Sequence, residues 1–221
     1  MRSYTITASA CGKRKMTDST EPLGATPGQD VSGLLLPHQS SPDQINAAET
    51  EAIDEAYKNH VYRARKKNRD SEWLTDEFIR KVHHDMFEAI WEWAGKYRTL
   101  RLNIGVEPYH IPEQIKLLCG DFLFWNSSKS SMPVLEIAAQ LHHRLTKIHP
   151  FKDGNGRHAR IMTDIFLHSR DHPLPKWPQI HRLTQGDAIR NQYIAALKTA
   201  DEGDYCPLKD LFDEWLNEKK S

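Results

Sequence analysis

HPFKDGNGRHAR, residues 149–160, separates two helical patterns and decides how the chain folds around it. Upstream, Pro133 opens a helix whose Val134, Ala138, Leu141, Leu145 and Ile148 share one face, and Pro150 cannot continue it. Downstream, a helix follows Gly156 with Ile161, Ile165 and Phe166 turned inward. Two helix termini therefore converge on one loop. The backbone N–H groups of about Gly154 to Arg157 are expected to be first-turn donors without helical partners, and glycine at 154 and 156 removes side chains that would block an anion. A phosphate is the natural guest of such a cradle.

The same periodicity extends over most of the chain and predicts a mainly helical protein. Ser41 or Asp43 caps a helix running through Ala48, Ile53, Ala56 and Tyr57 toward the basic stretch Arg63 to Arg69. That stretch reads as a solvated helix end, because no aromatic residues interleave it. Thr75 caps a second helix carrying Phe78, Val82, Met86 and Ile90 up to Trp91 and Trp93, ended by Gly95. Pro112 starts a third through Ile115, Leu118 and Phe122, and two more cover about 184–199 and 207–217. Tyr97 to Asn103 followed by Val106 to Ile111 reads as a small β-hairpin turning near Gly105, the one credible strand pair. Residues 1–40 are rich in Ser, Thr, Gly and Pro and read as a flexible arm, with Leu34, Leu35 and Leu36 as its apolar patch; residues 41–221 form the helical domain, with a core at about 75–213.

Bulk charge excludes some functions. Thirty Lys and Arg balance thirty Asp and Glu in 221 residues, so neither a dedicated nucleic-acid binder nor a membrane-surface binder is expected. Cys11, Cys119 and Cys206 are odd in number and widely spaced, which fits reduced thiols and a cytoplasmic setting. No apolar run approaches the ~18 residues of a membrane span.

Within the loop, His149 sits at a helix end, placed to take a proton from an attacking hydroxyl. Asp153 would repel a bare phosphate unless a cation lies between them, and Mg²⁺ needs few protein ligands because it takes others from phosphate and water. Arg157 and Arg160, three apart on the new helix, can both meet a polyphosphate. A plain turn between helices explains each residue singly, with Asp153 as cap and the arginines as surface charge. It does not explain all of them within twelve positions.

Here the sequence resembles the Fic family, whose signature H-x-F-x-[D/E]-G-N-G-R-x-x-R is filled by His149, Phe151, Asp153, Gly154, Asn155, Gly156, Arg157 and Arg160. MFEAIWEWAGKYRT (86–99), NIGVEPYHIP (103–112) and YIAALKTADEGDYCPL (193–208) are similar to other segments of the Fic core, and within the family the chain is similar to the bacterial mobile mystery protein B branch. The resemblance implies an all-α Fic fold with a β-hairpin flap, and an adenylyltransferase moving AMP from Mg-ATP to a Ser, Thr or Tyr hydroxyl. It implies His149 as general base, Asp153 as the Mg²⁺ ligand, Gly154, Asn155 and Gly156 holding the α-phosphate, and Arg157 and Arg160 on the leaving phosphates. Phe151 would anchor the loop in the core. The flap, residues 100–111, would dock the target protein by strand-like pairing. Gly156 sets the chain apart from the Doc-like branch, where a bulkier residue accompanies phosphoryl transfer.

The family's inhibitory pattern [S/T]-x-x-x-E-[G/N], whose glutamate meets the second arginine, is not matched at Thr17, Ser40 or Thr50. An antitoxin protein acting in trans is the partner this implies, with the chain as toxin. Two other readings remain open at this point. A metal-dependent phosphohydrolase would use His83, His84, Asp85, His142, His143 and His149, and a non-catalytic module would only hold nucleotide.

Overall fold

The computed structural model describes residues 31–37, 39–67, 73–127, 129–178 and 187–217. Seven α-helices account for most of them: α1 (Pro42–Lys67), α2 (Asp76–Phe87), α3 (Ile111–Trp125), α4 (Val134–Ile148), α5 (Asn155–Ser169), α6 (Ala188–Asp201) and α7 (Cys206–Asn217). A 3-10 turn, Pro108–His110, leads into α3.

The helices start where local chemistry dictates. Ser41 and Gln44 exchange hydrogen bonds at the head of α1, with Ser41 N donating to Gln44 Oε1 at 2.8 Å and Gln44 N to Ser41 Oγ at 3.3 Å. Thr75 Oγ1 accepts from Phe78 N at 3.1 Å to cap α2, and a proline lies in the first turn of α3. The sixth helix begins at Ala188; the expected segment before Asp187 lies outside the described residues.

The antiparallel pair α4 and α5, joined by the 149–154 loop, is the centre of the fold, with α1 against α5 and α2, α3 against α4, and α6 and α7 closing one side. Phe87, Phe122, Phe151, Phe166 and Phe212 are fully buried. Burying a side chain of that size is worth roughly 1.5–3 kcal/mol. Among the described residues no helix is long and apolar enough to cross a membrane. Cys119 and Cys206 are free thiols, while Cys11 lies outside the described residues.

Two expectations require correction. First, α2 stops at Phe87 instead of continuing to Trp93. Leu35 N donates to Ile90 O and Glu92 N to Gly33 O, both at 2.8 Å, so residues 33–35 pair with the chain after α2 and draw it out of the helix. Leu34 forms a β-bridge with Trp91, so this part of the apolar patch lies on the domain; residues 1–30 lie outside the described region. Gly95 then turns the chain at φ +70°, where a Cβ would meet His84 Cβ at 2.8 Å.

Second, the hairpin is absent: no strand pairing joins 97–103 to 106–111, and Tyr97 instead bridges Phe151 in the loop. The buried Arg98 explains the difference. Its guanidinium donates to Leu100 O at 3.0 Å, to Val106 O at 2.5 Å and to His149 O at 2.7 Å, so one side chain holds carbonyls that a ladder would otherwise use. Pro108 then directs the chain into the 3-10 turn.

Candidate active site

His149 ends α4 in the left-handed conformation, φ +52° and ψ +61°, its N–H bonded to Leu145 O at 3.1 Å. Arg98 holds its carbonyl, and Gly105 packs so closely that a Cβ there would lie 2.6 Å from His149 Cβ. The 100–107 segment therefore leans on this histidine although it is not a hairpin. Desolvation, countered in part by a hydrogen bond to the Thr146 backbone, pushes the His149 pKa down to about 4. The imidazole is neutral at pH 7, the form a base requires.

Phe151 is buried and stacked on His83, ring centroids 3.7 Å apart and 11° from parallel. Asn155, also buried, clasps the Phe151 backbone: Oδ1 accepts from Phe151 N at 2.8 Å and Nδ2 donates to Phe151 O at 2.9 Å. The sequence expectation gave this side chain to the α-phosphate; the structure uses it to close the loop. Asp153 turns one carboxylate oxygen onto Gly154 N at 2.6 Å, which removes that amide from the expected set of free donors.

Gly154 precedes α5 at φ +74°. A Cβ on it would meet the Phe87 ring at 2.5 Å, whereas at Gly156 nothing lies within 4 Å. The two glycines thus do different jobs, one letting the loop pack on α2 and the other keeping its mouth open. Gly154→Ala should cost about 1–3 kcal/mol from strain alone, more with the clash, read as a fall in unfolding midpoint. An unchanged midpoint would show that Phe87 yields freely.

No side chain caps α5, and His158 N to Gly154 O at 2.9 Å is its first helical bond, so the amides of Asn155, Gly156 and Arg157 have no partner within the helix. These three N–H groups lie at the positive end of the helix dipole, an arrangement that can accept an anion.

The arginines sit in separate sockets. Arg157 donates to Glu49 Oε2 at 2.6 Å and lies 5.0 Å over the Phe87 ring. Arg160 donates to Pro178 O at 3.2 Å and lies 5.8 Å from the Trp177 ring centroid, with its Nε buried and without a partner among the described residues. Below it Asp164, whose pKa burial pushes up to about 7, accepts from Trp177 Nε1 at 2.9 and 3.0 Å.

The other histidines do not assemble with His149. His142 is fully buried, with Nε2 2.7 Å from Tyr193 Oη, Nδ1 3.2 Å from Thr163 Oγ1 and its ring stacked on Trp177. His143 pairs with Asp201 at 3.0 Å. His84, Asp85 and Glu88 bring donor atoms within 4.8 Å of one another, but on the surface of α2, where Lys81 and His60 already hold Asp85 at 2.8 Å. No hydrolase-type metal centre forms from the expected residues.

Three side chains that shape the loop were not singled out from the sequence: Glu49, His83 as a neutral residue, and Arg98. His83 accepts Gly95 N–H at Nδ1, 3.0 Å, so its proton is on Nε2, which donates to Asp153 O at 3.0 Å. A buried polar residue beside an invitingly apolar helix face is the signal that could have pointed to Glu49 and His83. Their partners lie too far away in sequence to read.

Residues 73–167 match the Fic/DOC family. Protein adenylyltransferase fic-1 of Caenorhabditis elegans is 32% identical over 120 residues, 52% of this chain and 21% of that protein, and protein adenylyltransferase Fic of Drosophila grimshawi is 36% identical over 116 residues, 52% and 22% respectively. The chain thus spans about a fifth of the length of these curated relatives. A solved variant of a C. elegans Fic-1 fragment superposes with a TM-score of 0.64 at 26% identity, covering 83% of this chain and 52% of that one. The matched span contains the loop, all of α4 and most of α5, so the likeness to the Fic/DOC family lies in the part of the chain that builds the candidate site.

Proposed function

We propose that the chain is a protein adenylyltransferase, moving AMP from ATP to a Ser, Thr or Tyr hydroxyl of a target protein. The observation that carries this reading is the juxtaposition, across one six-residue loop, of a neutral histidine at the end of α4 and an uncapped α5 N-terminus flanked by arginine. The relatives bearing the adenylyltransferase name support it.

In the reaction, the target hydroxyl oxygen bonds to the α-phosphorus while its proton passes to the His149 imidazole; the bond from that phosphorus to the β-phosphate oxygen breaks and pyrophosphate leaves. The amides of Asn155, Gly156 and Arg157 stabilise the charge developing on the α-phosphate. Arg157 and Arg160 serve the leaving phosphates. The loop's one acid, Asp153, half-buried beside the cradle, fits a hard cation that takes its remaining ligands from phosphate and water, and Mg²⁺ there would offset charge on the leaving group.

The target is presented along residues 100–107 beside His149, through an extended segment and not a preformed hairpin. Regulation by an antitoxin in trans, in a cytoplasmic toxin pair, is consistent with the unmatched inhibitory pattern, and co-purification of a chain that suppresses labelling would test it. The activity itself is tested by incubating the chain with a cell lysate and either α- or γ-labelled ATP. Protein label from the α but not the γ position is expected; γ-label alone would make it a phosphotransferase, and no label with bound nucleotide a binding module.

A further inference from the structure

Glu49 lies in α1, outside the residues that match the family, yet reaches the candidate site. Its carboxylate is buried, 7% exposed, and both oxygens are used: Oε1 accepts from Trp91 Nε1 at 2.8 Å and Oε2 from Arg157 Nη1 at 2.6 Å. A buried carboxylate is costly unless paired in this way, so the pair marks a built contact and not a surface encounter. Trp91 is itself fixed by its β-bridge to Leu34, which leaves Glu49 no freedom to swing aside.

Arg157 is held on two sides, by Glu49 at one terminal nitrogen and by the Phe87 ring under its guanidinium. A guanidinium offers five N–H donors in a rigid fork, so one terminal nitrogen can stay on a carboxylate while the remaining edge meets phosphate oxygens. We infer that Glu49 is the positioning residue for Arg157: through a fixed charge-assisted bond it aims that guanidinium at the phosphates beyond the α-phosphate. The inference rests on the adenylyl-transfer reading for the identity of the ligand.

Glu49→Gln isolates the contact. Glutamine keeps the size but has one acceptor and one NH₂, so it cannot satisfy both Trp91 and Arg157. The measurements are dissociation constants of the full chain for ATP and AMP, by calorimetry with Mg²⁺. The variant should bind ATP about tenfold more weakly, the effect of losing one charge-assisted bond, while AMP, which lacks the leaving phosphates, binds as before. In an Arg157→Ala background the same substitution should change ATP binding no further.

Equal losses for ATP and AMP would reduce Glu49 to a structural role. Unchanged or tighter ATP binding would mean that it does not aim the arginine, or that it opposes the phosphates. If Glu49→Gln lowers the unfolding midpoint below working temperature, Trp91→Phe gives the second arm: it frees Glu49 from the indole while leaving the ion pair, and should weaken ATP but not AMP binding to a smaller extent. A wild-type chain that fails to distinguish ATP from AMP would instead count against the adenylyl-transfer reading itself.

Discussion

Replacing His149 with alanine is expected to lower transfer of α-label from ATP to protein by about 10²–10⁴-fold, while ATP still binds. The imidazole is neutral at pH 7 because desolvation holds its pKa at about 4, so it is ready to accept the hydroxyl proton, and alanine offers no substitute. Binding survives because the α5 amides and both arginines are untouched. His149 has φ +52°, where alanine is strained and asparagine is tolerated, so His149→Asn serves as the companion variant. Both should be inactive, and the asparagine form should melt close to the parent. Persistent labelling in either variant would remove His149 from the role of base.

Acid should destabilise the protein between pH 6.5 and about 4, well above the range set by surface carboxylates. Desolvation depresses His149 and His158 to about 4 and His142 to about 3. For a base with a depressed native pKa, the stability contribution is intact above pH 6.5 and lost as pH falls toward the native value, because the unfolded chain takes the proton first. Each group contributes about 1.4 kcal/mol per unit. Asp164, raised to about 7, acts oppositely: its native form binds the proton more tightly, so its contribution grows as pH falls from about 7 to 3.8. Three histidines against one aspartate leave a net loss of order several kcal/mol by pH 4.5. Thermal or urea unfolding from pH 7.5 to 4.5 would measure it. A midpoint that stays flat or rises would mean that these imidazoles protonate without unfolding.

The structure divides the string from His149 to Arg160 into mechanical and chemical parts that one linear pattern cannot distinguish. Asn155 and Gly154 are committed to the loop's shape, one clasping Phe151 and the other passing under Phe87. Gly156 is exposed, and a Cβ there would meet nothing within 4 Å. Arg157 and Arg160, equivalent on paper, meet a carboxylate in one case and a carbonyl with an indole in the other.

What the sequence determined by itself was everything carried by short-range chemistry. Helix starts at Ser41, Thr75, Pro112 and Pro133, the inward faces of α3, α4 and α5, and the convergence of two helix ends at 149–156 follow from caps, prolines and a 3.6-residue period that involve near neighbours. The missing hairpin shows where that reasoning stops. Alternating residues and a glycine turn fit strands equally well, and only the position of Arg98, fixed by His149 at a separation of 51 residues, takes the carbonyls away. The other decisive contacts join His83 to Asp153 across 70 residues and Glu49 to Arg157 across 108. Such pairs leave no local pattern, because each partner satisfies its hydrogen-bonding need through space and is chosen only when the helices pack; the loop's residues were legible in the chain, and their aim was set by the fold.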